Sequence, residues 1–114
     1  MLIKPGEKIF VITRRFYEEE IKRHFIGEII EAEGSLAKLK GYTYIFDKIK
    51  NQFIKKPDIR TRILDVSEGV YIVNLIPSDV NISDIQYVTN KNNQLVATDM
   101  KDFSLDINEF GVNK

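Results

Sequence analysis

The sequence predicts a mostly β protein, a small antiparallel meander of about eight short strands curled into a barrel or a tight sandwich. Three observations support this fold class. Short runs rich in β-branched and aromatic residues recur at hairpin spacing, turn-forming residues separate them, and no segment carries a long helical pattern. At most one or two helical turns are expected.

The longest feature is a predicted hairpin over residues 25–46, with Gly34-Ser35 at its tip. Gly at the first central position suits a type II′ turn, which requires positive φ there. A two-residue loop fixes the register, so Glu33 faces Leu36 and the pairs continue toward the base. The predicted pairs are Ala32 with Ala37, Glu31 with Lys38, Ile30 with Leu39, Glu28 with Gly41, Gly27 with Tyr42 and Phe25 with Tyr44.

This register predicts two faces of different character. We expect a base that is covered on both sides and a half-exposed tip. Gly27 and Gly41 lie inside the strands, where glycine marks a bend, a bulge or a close approach of two backbones. The apolar face carries Ile26, Ile30, Ala32, Ala37, Leu39 and Ile45, and the other face carries Phe25, Tyr42, Tyr44 and Phe46 near the base.

The remaining strands are shorter. Residues 17–24 are expected to form a helical turn or a polar loop, because two i,i+4 ion pairs are possible in a stretch too short for a stable helix. Residues 77–84 hold Ser, Asp and Asn, which favour capped turns, and a single helical turn is possible there. The predicted strands are 8–16, 52–56, 59–66, 70–76, 85–89, 94–99 and 103–107.

Length and composition set limits on function. The chain has 114 residues, of which 43% are hydrophobic, with 7 Phe and 5 Tyr, so one domain over residues 1–114 can fill a core. The absence of Cys excludes thiol catalysis, Cys-ligated zinc and disulfides. No apolar run approaches the ~18 residues of a membrane helix, and the first residues lack a signal-peptide pattern. We therefore expect a soluble cytoplasmic protein with no membrane partner.

Charge is balanced overall but not along the chain. Residues 1–62 hold 14 of the 17 Lys and Arg and 9 of the 17 Asp and Glu, while the formal net charge is zero. Such a split can mark an interaction surface. The simpler interpretation is that the two parts attract each other within one fold.

No catalytic motif is present, and neither an enzyme nor a cofactor is expected. The only His is His24, which can serve as a general base in principle but more simply has a structural or surface role. Carboxylates near the carboxyl end suit a hard cation, although Asp at strand ends usually makes turns, so no metal is assigned. These carboxylates are Asp99, Asp102, Asp106 and Glu109.

Basic residues lie on or beside the predicted strands and alternate with aromatic residues. Small β-barrels that bind single-stranded nucleic acid combine cations for phosphate with aromatic rings for base stacking. The sequence pI of about 6.6 argues against this hypothesis, since nucleic-acid-binding domains are usually basic. The candidate anion- or nucleic-acid-binding residues are Arg14, Arg15, Arg23, Lys38, Lys40, Arg60, Arg62, Tyr42 and Tyr44, and the wider set adds Lys22, Lys55, Lys56, Phe16 and Phe53.

The segments 8–16, 24–29, 41–47, 60–63 and 105–110 together resemble a family of small single-domain bacterial proteins of unknown function. The resemblance implies no activity. The predicted curled sheet also resembles SH3-like and Sm-like barrels in general architecture, although the Sm signature is absent.

Three hypotheses about function follow. The first is a non-catalytic binding or assembly module that forms a homo-oligomer or binds a protein partner, because edge strands and a partly aromatic face favour association. The second is a small β-barrel that binds single-stranded nucleic acid. The third, an enzyme, requires a pocket that places His24 beside Tyr and Asp.

Overall fold

The computed structural model describes residues 3–14 and 22–107, in which nine strands and one 3₁₀ turn confirm the mostly β prediction. The chain divides into two compact units, Met1–Ser78 and Asp79–Lys114. The single-domain assignment of residues 1–114 stays a prediction. The first unit holds β1 (Lys8–Thr13), β2 (Arg23–Glu33), β3 (Leu36–Asp47), β4 (Gln52–Lys55), β5 (Arg60–Asp65) and β6 (Tyr71–Ile76).

The six strands of the first unit form one antiparallel sheet in the order β4-β3-β2-β1-β6. β5 also pairs with β3, along the same edge as β4. The long strand β3 accommodates both, because β4 pairs with its second part, Tyr44–Asp47, and β5 with its first part, Leu36–Gly41. Pro57 lies between these two strands, where the ladder stops.

The sheet is curled, as its hydrogen bonds require. Asp65 is level with the hairpin tip at Leu36, whereas Tyr71 is level with Arg23 at the other end of β2. In a flat sheet these levels lie ~33 Å apart. Two consecutive turns, in which Glu68 N donates to Asp65 O and Tyr71 N to Glu68 O, join Asp65 to Tyr71. The two turns together span at most ~14 Å, which is much less than the distance in a flat sheet, so the sheet bends back on itself.

The concave side of this curl holds the core, and we call it the inner face. Its buried side chains come from the three central strands, and side chains from β5 and β6 pack against them. Residues from both edges of the sheet therefore meet around one cluster. No ladder joins β5 to β6 in the described residues, so the curl is not a closed barrel. The buried cluster is Ile9, Val11, Phe25, Ile29, Ala37 and Leu39, with Ile3, Ala32, Leu64, Val66, Tyr71 and Val73 packed against it.

The tip of the long hairpin matches the prediction. Gly34 has a φ of 59°, and Glu33 pairs with Leu36 as expected. Ala32 pairs with Ala37, and Glu31 with Lys38, whose Nζ lies 3.3 Å from Oε1 of Glu31.

Below the tip the predicted register is wrong by one residue, because a β-bulge interrupts β2 between Ile29 and Glu31. Ile29 pairs with Leu39, and Ile30 is the extra residue. The bulge lies where Ile29 also bonds to the segment before β1, since Ile29 N donates to Glu7 O and Gly6 N donates to Ile29 O. The observed pairs toward the base are Glu28 with Lys40, Gly27 with Gly41, Ile26 with Tyr42 and Phe25 with Thr43.

The bulge also changes which residues share a face. Ile26 lies on the outer face with Tyr42, not with Leu39, and Phe25 lies on the inner face. Ile30 is 45% exposed rather than buried with the apolar set. The expected burial of the base on both sides is confirmed, because Phe25 on one face and Tyr44 on the other are both buried.

Two further predictions concern connecting segments. Residues 15–21 lie outside the described residues, but Arg23 and His24 belong to β2, so the prediction of a turn or loop was wrong for those two. The possible helical turn within residues 77–84 is present as a 3₁₀ turn, Ile82–Asp84. Asn81 caps it, since its Oδ1 accepts from Ser83 N at 3.1 Å.

The second unit holds a three-stranded antiparallel sheet in the order β7-β8-β9, formed by β7 (Gln86–Thr89), β8 (Leu95–Thr98) and β9 (Ser104–Asp106). Asn90 orders the loop between the first two, because its Oδ1 accepts from Asn92 N and Gln94 N, each at 2.9 Å. Among the described parts of the chain, no helix is long and apolar enough to cross a membrane. The cytoplasmic location stays a prediction.

Gly41 is expected to be essential for stability. A Cβ there would overlap Ile26 O and lie 2.5 Å from Gly27 Cα, both backbone atoms of β2. Gly41→Ala should therefore lower the free energy of unfolding by at least about 2 kcal/mol, because the two strands have to separate locally. Urea denaturation followed by circular dichroism measures the change.

The matched control is Gly69→Ala, since a Cβ at Gly69 has no neighbour within 4 Å. This variant should stay within about 0.5 kcal/mol of the parent protein. Equal effects of the two substitutions would contradict the close approach of β2 and β3.

Candidate functional site

The candidate basic and aromatic residues divide between the two faces of the first sheet. Alternate residues of β3 point the same way, so Lys38, Lys40, Tyr42 and Tyr44 lie together on the outer face. Three arginines of the set lie on the inner face, because each pairs with residues of that face. Arg23 is opposite Thr13 and Ile45, Arg60 is opposite Gly41, and Arg62 is opposite Leu39.

The remaining two candidates belong to neither group. Arg14 donates from its guanidinium (Nη1) to Gly69 O at 2.9 Å, which fastens the end of β1 to the turn before β6. Arg15, like Phe16 of the wider set, lies outside the described residues. The nine candidates therefore do not form one continuous surface within the described chain.

Lysines contact aromatic rings on the outer face. Lys55 Nζ lies 4.3 Å from the Tyr42 ring centroid and 6.0 Å from that of Tyr44, and Lys22 Nζ lies 5.0 Å from the Phe46 ring centroid. These are cation–π distances. Tyr44 is only 1% exposed, so its ring is not accessible to a base, whereas Tyr42 and Phe46 are half-buried.

His24 is a buried member of an aromatic cluster. Its ring stacks on Phe53 at 4.7 Å and tilts against Phe10 at 5.4 Å. Burial, with a smaller contribution from the nearby Lys22 charge, lowers the pKa of His24 to about 4. The imidazole is therefore neutral at pH 7, and a proton acceptor with such a low pKa is poorly matched to catalysis near neutral pH.

Of the four candidate carboxylates near the carboxyl end, Asp99 makes a turn. Asp99 Oδ1 accepts from Lys101 N at 2.9 Å and Phe103 N at 3.1 Å, which orders the connection between β8 and β9. Asp102 and Asp106 are exposed, and Glu109 lies outside the described residues. Within residues 3–14 and 22–107, no group of three His, Asp or Glu is placed to hold a metal ion.

Sequence reasoning missed an exposed apolar group at the hairpin tip and on β5. Side chains alternate between the two faces along β5, with Arg62 pointing to the inner face while Ile63 points outward and is 64% exposed. Ile63 flanks Lys38, and Leu36, also on the outer face, is 45% exposed. An alternating strand usually buries its apolar side, so this orientation is the reverse of the common one.

Ile63 lies on an open sheet edge. In the described residues β5 pairs with β3 alone. Val66 and Ser35 form a hydrogen-bonded pair, because Val66 N donates to Ser35 O at 2.9 Å. Hydrogen-bonded pairs alternate with non-bonded pairs along an antiparallel ladder, so residues 60, 62 and 64 also bond to β3. The N–H and C=O groups of Thr61, Ile63 and Asp65 therefore point away from the sheet. Asp65 O accepts from Glu68 N, and the groups of Thr61 and Ile63 face outward along the edge.

Comparisons with protein-family models, with curated proteins and with solved structures find no match to the chain. The resemblance to small bacterial proteins stays a prediction. Function therefore has to be inferred from the geometry of the chain itself.

The pKa of His24 can be measured without ambiguity, because the chain has one His. The imidazole signals in a proton NMR titration should shift with a midpoint near pH 4, well below the ordinary value of 6.5. The unfolded state takes up the proton first, so stability that is complete above pH 6.5 should fall as the pH drops toward 4.

His24→Gln provides the comparison, since its side chain stays neutral throughout. The parent protein should lose about 2 to 3 kcal/mol more stability than this variant between pH 7 and pH 4. An NMR midpoint near 6.5, or parallel stability curves, would show that the ring is exposed to water.

Proposed function

We propose that the protein is a non-catalytic binding module that pairs with another polypeptide along the outer edge of β5. The observation that supports the proposal is the coincidence of outward backbone groups at Thr61 and Ile63 with the exposed Ile63 side chain. Open edges that expose apolar residues act as templates for a further strand, so natural proteins commonly protect them with charges, proline or bulges.

The side chains of the edge suit an extended ligand. On the outer face Ile63 is level with Lys38, between Leu36 and Lys40. The residue of an added strand that is opposite Ile63 would point to the same face, so an apolar side chain there would pack against Ile63. Burying the exposed part of an isoleucine contributes about 1 to 2 kcal/mol, and main-chain hydrogen bonds add to this. On the inner side, the half-buried Leu64 would contact the ligand residue that pairs with it.

Arg62 is held against the core on the inner face. Its guanidinium carbon lies 5.7 Å from the Phe25 ring centroid, and Nη2 lies 3.5 Å from Thr43 Oγ1. The side chain therefore extends across β3 on the inner face and covers the edge of the core, so its charge lies away from the open side of β5.

Selection from a display library of random ten-residue peptides tests the proposal. The parent protein should enrich peptides with alternating apolar residues, because a strand added at this edge presents every second side chain to Ile63 and its neighbours. Ile63→Lys should abolish that enrichment, since an exposed edge lysine opposes strand addition.

Ile49→Lys is the matched control for the library. Ile49 is 96% exposed and lies in the connection between β3 and β4, away from β5, so this variant should select the same peptides as the parent protein. Enrichment that survives Ile63→Lys, or no enrichment by the parent protein, would refute pairing at β5.

The contacts of Lys22 and Lys55 with aromatic rings support a second candidate, binding of single-stranded nucleic acid on the outer face. Lys40 and Lys38 lie on the same face.

Fluorescence anisotropy with a labelled oligothymidine tests this candidate, and the affinity should fall as the salt concentration rises. Lys40→Ala with Lys55→Ala should weaken binding about tenfold or more, and Lys91→Ala, in an exposed loop of the second unit, should not. Binding that is insensitive to salt would exclude this candidate.

A further inference from the structure

We infer that the strand received by β5 is β5 of a second copy of this chain, in a two-fold antiparallel pairing centred on Ile63. This inference rests on the proposed function and specifies its partner. It follows from the direction of the backbone groups, the permitted registers and the charges along one short strand.

The backbone groups are compatible with self-pairing. A two-fold axis through the level of Ile63 places Ile63 opposite Ile63 of the other copy and Thr61 opposite Asp65 of the other copy. Residues 61, 63 and 65 are those whose N–H and C=O groups point outward from β5. Each bonded pair of the new ladder would therefore join two outward-pointing residues, as an antiparallel ladder requires. Because the carbonyl of Asp65 already accepts from Glu68 N, the hydrogen bonds between the two Ile63 residues would contribute most to the new ladder.

Geometry leaves few alternative registers. Opposite residues of an antiparallel pair point to the same face, so an axis perpendicular to the sheet has to pass through the level of a residue, not between two. Asp65 begins a turn, because its carbonyl accepts from Glu68 N, so pairing beyond it is short. Only axes at Arg62 and Ile63 use most of the six residues of β5.

Charge selects between these two. An axis at Arg62 pairs Arg62 with its own copy and Ile63 with Thr61, so it opposes two like-charged residues and leaves Ile63 beside a polar residue. With the axis at Ile63, Arg62 is opposite Leu64 of the other copy and Arg60 is opposite Val66. No two like charges are directly opposed in this register, and its centre is the exposed Ile63 pair.

The apolar surface also becomes continuous in this arrangement. Leu36 and Ile63 are diagonal neighbours on the outer face of one copy, and the two-fold axis adds the same two residues from the other. Four side chains that are 45% or 64% exposed in the isolated chain would then lie in one stripe across the joined sheets. Burial of this stripe is a driving force that a single copy lacks.

Sedimentation equilibrium of the full chain tests the inference. The parent protein should show a monomer–dimer equilibrium, and Ile63→Lys should raise the dissociation constant at least about tenfold, because it places two lysines opposite each other. Ile49→Lys should behave as the parent protein does. Circular dichroism should show that both variants fold, because both side chains are exposed in the parent protein.

Cross-linking determines the register. The chain has no Cys, so single-cysteine variants carry one defined thiol. With the axis at Ile63, the Cα atoms of the two residues at that position lie ~5.5 Å apart, whereas those of the two residues at position 61 lie ~14 Å apart. A short bismaleimide should therefore link Ile63→Cys faster than Thr61→Cys, and Ile49→Cys should link slowest.

The outcomes separate this inference from the proposed function. A protein that remains monomeric up to ~1 mM, or a dimer that survives Ile63→Lys, overturns the second copy as partner. Linking at position 61 that is as fast as at position 63, or faster, overturns the register. If library peptides still bind the parent protein and not Ile63→Lys in those cases, pairing at β5 stands and its natural ligand is a different polypeptide.

Discussion

The contact between β2 and β3 at Gly27 and Gly41 is the constraint on which the rest of the first unit depends. The two glycines pair directly, and a Cβ on Gly41 would overlap the backbone of β2. A Cβ on Gly27 would lie 2.8 Å from the Phe25 ring and 2.9 Å from Lys40 O. Because neither glycine carries a side chain on the inner face at this level, the ribbon can bend sharply there and enclose a small core.

The bend determines the position of the proposed edge. Since the sheet curls, the hairpin tip approaches the start of β6, and β5 follows the first part of β3 with its arginines toward the concave side. Ile63 is consequently left on the outside, next to backbone groups that no described strand uses. The edge is exposed because the curl stops one ladder short of closure.

Much of the fold was predictable because strand patterns and tight turns are local. The tip at Gly34-Ser35 fixed three pairs correctly, and most strand bounds were correct to within one or two residues. Below the bulge the prediction failed, since Ile29 is held by Glu7 and Gly6, which are distant in sequence. The nucleic-acid candidates were identified from types of residue alone, and the sheet separates them because alternate residues face opposite sides.

By itself, the sequence determined the fold class, the turn at the hairpin tip and the absence of cysteine chemistry, because composition and short-range geometry decide these features. The tertiary structure alone decided which face of β5 is buried, that His24 lies neutral among aromatic rings, and which edge stays open. Those properties depend on where non-neighbouring strands meet. One inserted residue in β2 changes which residues share a face below the hairpin tip, and no local pattern around Ile30 reveals the insertion.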